Sequence, residues 1–271
     1  MHSPLPPLRA VIEANGLTPR KALSQNFLLD PAICARIAAA AGDLAGANVI
    51  EVGPGPGGLT RALLATDAAR VVAVEADPRA VAAIQGLADT DARLRALHAD
   101  ALAMDLAALT PAPRVLVANL PYAIATPLLT QWLRQRGAFA RMVLMFQREV
   151  AQRIAAAAGT PDYGRLSVLA QWLADIRPVM TLPPGAFWPA PKVHSRVLVV
   201  GPRAAKADDP PVEAVERLTA LAFGQRRKML RQSLKAHLPA LKHLGLDPTL
   251  RAADVTPQQY VALTALVHQR S

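Results

Sequence analysis

From about Asn48 onward the chain alternates short apolar runs with longer amphipathic segments, and this rhythm restricts the fold more than any other feature. The runs Val49–Val52, Val71–Glu75, Leu94–His98, Val115–Ala118 and Met142–Phe146 have strand length, and each precedes a segment of helical spacing. Strand and helix in regular succession predict an α/β protein with a parallel sheet and helices on both faces. Ile176–Thr181 and Val197–Val200 read as two further strands, an antiparallel addition at one end of that sheet. The stretch Gly201–Pro211 has the proline-flanked chemistry of a linker, and only helical patterns follow it, as in Val212–Phe223 and Lys228–His237. A boundary is therefore expected near residue 203, dividing a large domain over 1–202 from a small all-helical domain over 203–271.

The 271 residues, 52% of them hydrophobic, suffice for both cores. Lys and Arg outnumber Asp and Glu by 30 to 20, a net charge of +10 that suits a polyanionic partner. An Ala- and Arg-rich coding sequence gives the same excess, so charge alone raises the question of nucleic acid without answering it. The single cysteine, Cys34, excludes an intramolecular disulfide and a Cys-based zinc cluster, and its apolar helical surroundings predict a buried small hydrophobe. The histidines lack metal-binding spacing, so no metal is expected. The amino terminus has no charged start followed by an apolar run, and no apolar stretch is long enough to span a bilayer. A cytoplasmic protein without membrane attachment is expected, and a monomer, since no apolar heptad is visible.

The strongest local signal is Val49-Ile50-Glu51-Val52-Gly53-Pro54-Gly55-Pro56-Gly57-Gly58-Leu59-Thr60, a strand entering a glycine turn that opens a helix. This is the ligand corner of a doubly wound sheet, where strand and helix ends leave backbone groups unpaired. Gly53, Gly55 and Gly58 also satisfy the dinucleotide fingerprint, but Pro54 and Pro56 remove two N–H donors where a pyrophosphate needs them. Glu75 ends the next strand, where an acid accepts from ribose hydroxyls in either reading. Asp100 follows the third strand; alone it reads as a helix cap, but beside Gly53 and Glu75 it reads better as an acceptor for an adenine amino group.

The fourth strand leads into Asn119-Leu120-Pro121-Tyr122, with a helix expected from about Thr126-Pro127. As a bare tetrapeptide this is a turn. Beside the glycine corner it resembles the (Asn/Asp)-Pro-Pro-(Tyr/Phe) loop of amino-directed methyltransferases, with S-adenosylmethionine as cofactor. The Asn119 side-chain oxygen and a backbone carbonyl at Leu120 or Pro121 can accept from a target amino group, Pro121 stiffens the loop, and Tyr122 can stack on the base.

Eight ordered segments extend the likeness over nearly the whole chain. They are Ser24–Asp30, Glu51–Thr60, Glu75-Ala76-Asp77, Asn119–Leu129, Phe146–Arg153, Tyr163–Ser167, Phe187–Ser195 and Phe223–Leu230. In these the chain resembles the small-subunit ribosomal-RNA adenine dimethyltransferase family. The resemblance implies a Rossmann-like S-adenosylmethionine-dependent methyltransferase sheet plus a small helical C-terminal domain. It implies that Asn26, Leu28, Gly53, Glu75, Asp100 and Asn119 hold the cofactor, and that Phe187 offers a second stacking face opposite Tyr122. Trp188 reads instead as an apolar residue packed on the sheet. The implied substrate is 16S rRNA of the small ribosomal subunit, where two adjacent adenines in a hairpin loop near the 3′ end each receive two methyl groups during ribosome biogenesis. His194, Ala99 and Ala123 depart from the family pattern, where Asp, Gly and Asn are usual.

Between Phe223 and Leu246 stand Arg226, Arg227, Lys228, Arg231, Lys235 and Lys242, with no acidic residue. On a helix starting near Gln225, Arg227, Arg231 and Lys235 would form a basic stripe, read as an RNA phosphate contact in preference to a solvated face. Arg148 and Arg153, flanking the helix after Met142–Phe146, would extend it. Three alternatives stand beside this reading: a large-subunit rRNA adenine methyltransferase, a non-catalytic RNA- or DNA-binding factor on the same fold, and a nicotinamide-dependent dehydrogenase.

Overall fold

The computed structural model describes residues 5–20 and 25–268; Ser24, the first residue of one quoted segment, and residues 1–4 lie outside the described residues. In chain order, α1 (Leu8–Ala14), β1 (Phe27–Leu28) and α2 (Pro31–Ala40) precede the main sheet. Next come β2 (Asn48–Val52), α3 (Gly58–Leu64), β3 (Arg70–Glu75), α4 (Pro78–Ala88), β4 (Leu94–His98), β5 (Arg114–Ala118), α5 (Tyr122–Arg134) and β6 (Arg141–Gln147). Then α6 (Arg148–Ala155) and α7 (Arg165–Leu173) lead to β7 (Ala174–Leu182), β8 (Phe187–Trp188) and β9 (Ser195–Pro202). The helices α8 (Val212–Gly224), α9 (Leu230–Ser233), α10 (Leu238–His243) and α11 (Pro257–His268) follow.

The sheet order is β4-β3-β2-β5-β6-β9-β7. The pairs β2–β3, β2–β5, β3–β4 and β5–β6 are parallel, and β9 joins β6 antiparallel, as the late strand signals suggested. The chain leaves β2 toward β3 on one side and returns to β5 on the other, so the topological switch point lies at the end of β2. Both faces are covered. Val49, Val71, Ala73, Val115, Val117 and Val143 share one buried cluster with Leu59 and Leu63 of α3 and Ile84 of α4. The alternate residues Ile50, Val72, Leu116 and Leu144 are also buried, which the two-residue strand period assigns to the opposite face.

Helix α5 departs from expectation by starting at Tyr122 and carrying Pro127 in its interior. Pro121, extended at φ −54° and ψ 129°, sets the turn, so the helix opens one residue after it. Tyr122 therefore sits on the first turn of a helix, at the mouth of the sheet.

The described residues fall into two compact units. One holds the chain up to Arg148 together with Arg177–Gly201, and the other holds Glu149–Ile176 and everything from Pro202 on. The linker signal near 203 marks one of the crossings, whereas the transfer of 149–176 has no linker chemistry. Packing explains it: Tyr163 stands 6.1 Å from the Phe223 ring, Phe223 stands 5.9 Å from Tyr260, and the hydroxyls of Tyr163 and Tyr260 donate to the carbonyls of Val255 and Ala252. The Tyr163–Ser167 and Phe223–Leu230 segments thus build the core of the second unit.

The expected basic helix from Gln225 does not form. Helix α8 ends at Gly224, a turn closes from Lys228 N to Gln225 O, and Leu230 and Arg231 donate to the carbonyls of Leu250 and Pro248. Backbone pairing with a distant segment replaces the helical ladder, so Arg227, Arg231 and Lys235 do not share a helix face.

Candidate active site

A cavity of about 250 Å³ opens at the carboxyl ends of β2, β3, β4 and β5. It is lined by Asn26, Leu28, Gly53, Glu75, Asp100 and Asn119, all six residues expected to hold cofactor. Leu120, Pro121 and Tyr122 line it too, so the loop and the glycine corner meet in one space.

The glycine turn is shaped by its own hydrogen bonds. Gly53 N donates to Val74 O (2.9 Å), Gly55 N to Glu75 Oε2 (3.2 Å) and Gly57 N to Pro54 O (3.0 Å). With Pro54 and Pro56 lacking N–H, donors from Gly53 through Gly57 are occupied within the protein, and the turn cannot cradle a pyrophosphate. A cofactor carrying an adenosine and a cationic centre, without phosphates, suits the remaining acceptors. The glycines also make room for the chain above them. A Cβ on Gly58 would stand 2.6 Å from the carbonyl oxygen of Leu28, and one on Gly55, at φ +54°, would stand 3.0 Å from the Phe27 ring.

Glu75 accepts from Gly55 N and, through Oε1, from Ala76 N and Asp77 N at 2.9 Å. Burial nevertheless raises its pKa, because desolvation outweighs those donors. Asp100 is exposed, and its Oδ1 accepts from Leu102 N (2.9 Å) across a turn rather than a helix start. Asn119 Nδ2 donates to the backbone carbonyl of Asn26 (3.3 Å). That contact fixes the amide, leaving Oδ1 as the acceptor without a protein donor among the described residues. Of the two carbonyls considered for the target amine, Pro121's already accepts from Ile124 N (3.1 Å).

Phe187 is buried at 6% exposure in the main core, where β8 pairs antiparallel with β1 and aligns it with Leu28, a residue that lines the cavity. Trp188 packs on Phe27, ring centroids 6.5 Å apart, as an apolar residue should.

Two lining or supporting residues escaped the sequence reading. Glu51 is 1% exposed, receives a 2.6 Å hydrogen bond from the Thr60 hydroxyl, and has its pKa pushed up to about 8, by desolvation first. A charged residue inside the run Val49–Val52 was the available signal. Ser195, fully buried, lies 2.6 Å from the Tyr122 hydroxyl across 73 residues of sequence, and no local pattern marks it.

The basic residues are exposed: Arg148 in the first unit, and Arg153, Arg226, Arg227, Lys228, Arg231 and Lys235 in the second. Arg226 donates to Pro161 O (2.5 Å), and Arg153 pairs with Glu149 (2.8 Å). Among the described residues no group of three His, Cys, Asp or Glu could hold a metal, and no helix is long and apolar enough to cross a membrane.

Solved structures agree with the architecture. A dimethyladenosine transferase from Plasmodium falciparum matches 89% of this chain and 97% of its own, with TM-score 0.80 at 24% identity. The 23S rRNA methyltransferase ErmE matches 88% of this chain and 98% of its own, with TM-score 0.69 at 28% identity. Curated relatives are more similar. The ribosomal RNA small subunit methyltransferase A of Gluconobacter oxydans is 52% identical over 97% of this chain and 88% of its own. That of Rhodospirillum rubrum is 51% identical over 97% and 93%. The family model for ribosomal RNA adenine dimethylase matches residues 16–269. The chain belongs to the ribosomal RNA adenine dimethylase family, and it is a methyltransferase whose cofactor is S-adenosylmethionine.

Proposed function

We propose that this enzyme transfers methyl groups from S-adenosylmethionine to N6 of two adjacent adenines in a hairpin loop near the 3′ end of 16S rRNA, dimethylating each during ribosome biogenesis. One observation carries the reading: Asn119 Oδ1 is left as an acceptor in the same cavity as the Tyr122 ring, Glu75 and Asp100. The names of the half-identical relatives support the small subunit as the source of the RNA.

When bound, the cofactor supplies an electrophilic methyl group on a sulfonium centre. Glu75 would accept from its ribose hydroxyls and Asp100 Oδ2 from its adenine amine, while Asn26, Leu28 and Gly53 form walls. At the target, the N6 lone pair is delocalised into the ring and is a poor nucleophile. Asn119 Oδ1 and the Leu120 carbonyl would accept its two hydrogens and favour a pyramidal nitrogen, while Tyr122 stacks on the base, a contact worth about 1–3 kcal/mol. The proton leaves to solvent after attack, so these residues act chiefly by positioning. Phe187, paired with Leu28 at the cavity wall, would offer a second stacking face opposite Tyr122. Arg148, Arg153, Arg226, Arg227, Lys228, Arg231 and Lys235 would meet phosphates of the RNA. The enzyme would act as a cytoplasmic monomer without a metal.

Transfer of labelled methyl groups to immature small subunits, with large subunits as control, tests the proposal. Label recovered as N6,N6-dimethyladenosine from 16S rRNA alone is the expected result. Label on large-subunit RNA, or none on either, would overturn it.

A further inference from the structure

We infer that Ser195 is a positioning residue for the methyl transfer, acting through the hydroxyl of Tyr122. The inference rests on the assignment of Tyr122 to the target base. Tyr122 opens α5 at the cavity, half-buried, and its hydroxyl has one partner among the described residues, Ser195 Oγ at 2.6 Å. That partner is 0% exposed and stands on the first residue of β9, where antiparallel pairing sets it opposite Gln147 at the end of β6. The adjacent register is locked as well, since Arg148 N donates to His194 O (2.9 Å). Because β9 runs against β6, its beginning lies on the same edge of the sheet as the ends of β5 and β6. The phenol thus spans from the loop after β5, past β6, to a rigid anchor.

A ring on the first turn of a helix is free to rotate about its side-chain bonds unless its far end is tied. The Ser195 hydroxyl ties it, holding the aromatic face in one orientation toward the cavity. The other half of the loop is held from the same stretch of chain: β8 pairs with β1, and the Asn26 carbonyl just before β1 orients Asn119. One segment, Phe187–Ser195, therefore braces both the amide that accepts from the target amine and the ring that stacks on it.

The test is a double-mutant cycle on the full-length enzyme with 30S particles as substrate, measuring kcat, KM for RNA and, separately, the Kd for S-adenosylmethionine by calorimetry. Ser195→Ala and Tyr122→Phe remove the same hydrogen bond from opposite ends, and the second leaves no cavity in the core. Each should lower kcat by about ten- to a hundred-fold with cofactor Kd within about twofold of wild type. The double variant should be no worse than either single one, the non-additivity expected of two groups acting as a unit. Ser195→Ala with wild-type turnover would overturn the inference. So would additive losses in the double variant, or a loss of cofactor affinity in step with turnover, which marks general structural damage. A wild-type enzyme that fails to methylate 30S particles would instead remove the assignment of the substrate.

Discussion

The cofactor corner and the basic surface of the second unit organise their functional groups in opposite ways. At the corner each group is fixed by a named hydrogen-bond partner: Glu75 by three backbone N–H groups, Asp100 by Leu102 N, Asn119 through Asn26 O, Tyr122 through Ser195. On the basic surface Arg227, Lys228, Arg231 and Lys235 are exposed side chains on a turn and two short helical pieces. Chemistry at a nitrogen atom is lost with small misplacement, so the corner is preorganised. Attraction to a phosphate backbone depends mainly on how many charges approach it, so on the proposed reading the surface would tolerate exposed side chains on an irregular backbone.

The largest effect expected from this contrast lies at the corner. Asn119→Ala should lower methyl transfer by about a hundred- to a thousand-fold, with S-adenosylmethionine binding weakened but present, as calorimetry would read. A near wild-type rate would remove Asn119 from the chemistry. Gly58→Ala comes next. The new methyl would meet the Leu28 carbonyl at 2.6 Å, so thermal stability should fall by about 1–3 kcal/mol together with cofactor affinity. If melting and affinity both stay unchanged, the roof of the cavity is not held at this contact.

Glu51 sharpens the comparison by pH. Its pKa stands at about 8 in the folded chain against the ordinary 4.5, so the folded state binds a proton that the unfolded state has lost between those values. Its contribution to stability is present in full below pH 4.5 and is lost as pH rises through 8. Glu51→Gln should flatten that part of a melting-temperature curve measured from pH 5 to 9, and an unchanged slope would show that another group titrates there. The smallest single effects belong to the basic surface. Arg227→Ala, Lys228→Ala and Arg231→Ala should each weaken RNA binding several-fold and reduce the logarithmic salt slope by about 0.7–0.9. Arg153→Ala should do less, since Glu149 already pairs with that charge. Losses at one of these positions as large as at Asn119 would mean that the surface, too, is built around fixed contacts.

Most of the corner was legible because its information is local. Gly53, Glu75, Asp100 and Asn119 each end or follow a run of strand length, and a parallel sheet necessarily gathers the ends of such runs on one edge. Asn26 and Leu28 precede the sheet and came only from resemblance to a family. The pairing of Phe187 with Leu28 was not legible, because a two-residue strand has no period to read and the pair joins segments far apart in sequence. The basic helix failed for a related reason: residues of good helical propensity after Gly224 were claimed by backbone pairing with Pro248–Arg251, which outweighs a weak local preference.

By itself, then, the sequence determined the doubly wound sheet, the order of the residues at its ligand edge and the chemical type of the loop that follows β5, since strand period, turn chemistry and chain order are properties of contiguous residues. Tertiary structure alone decided that residues 149–176 pack with the carboxyl-terminal unit, that Phe187 pairs with Leu28, and that Ser195 meets Tyr122. Each of these is a contact between distant segments, fixed by burial and backbone pairing that only the closed fold supplies.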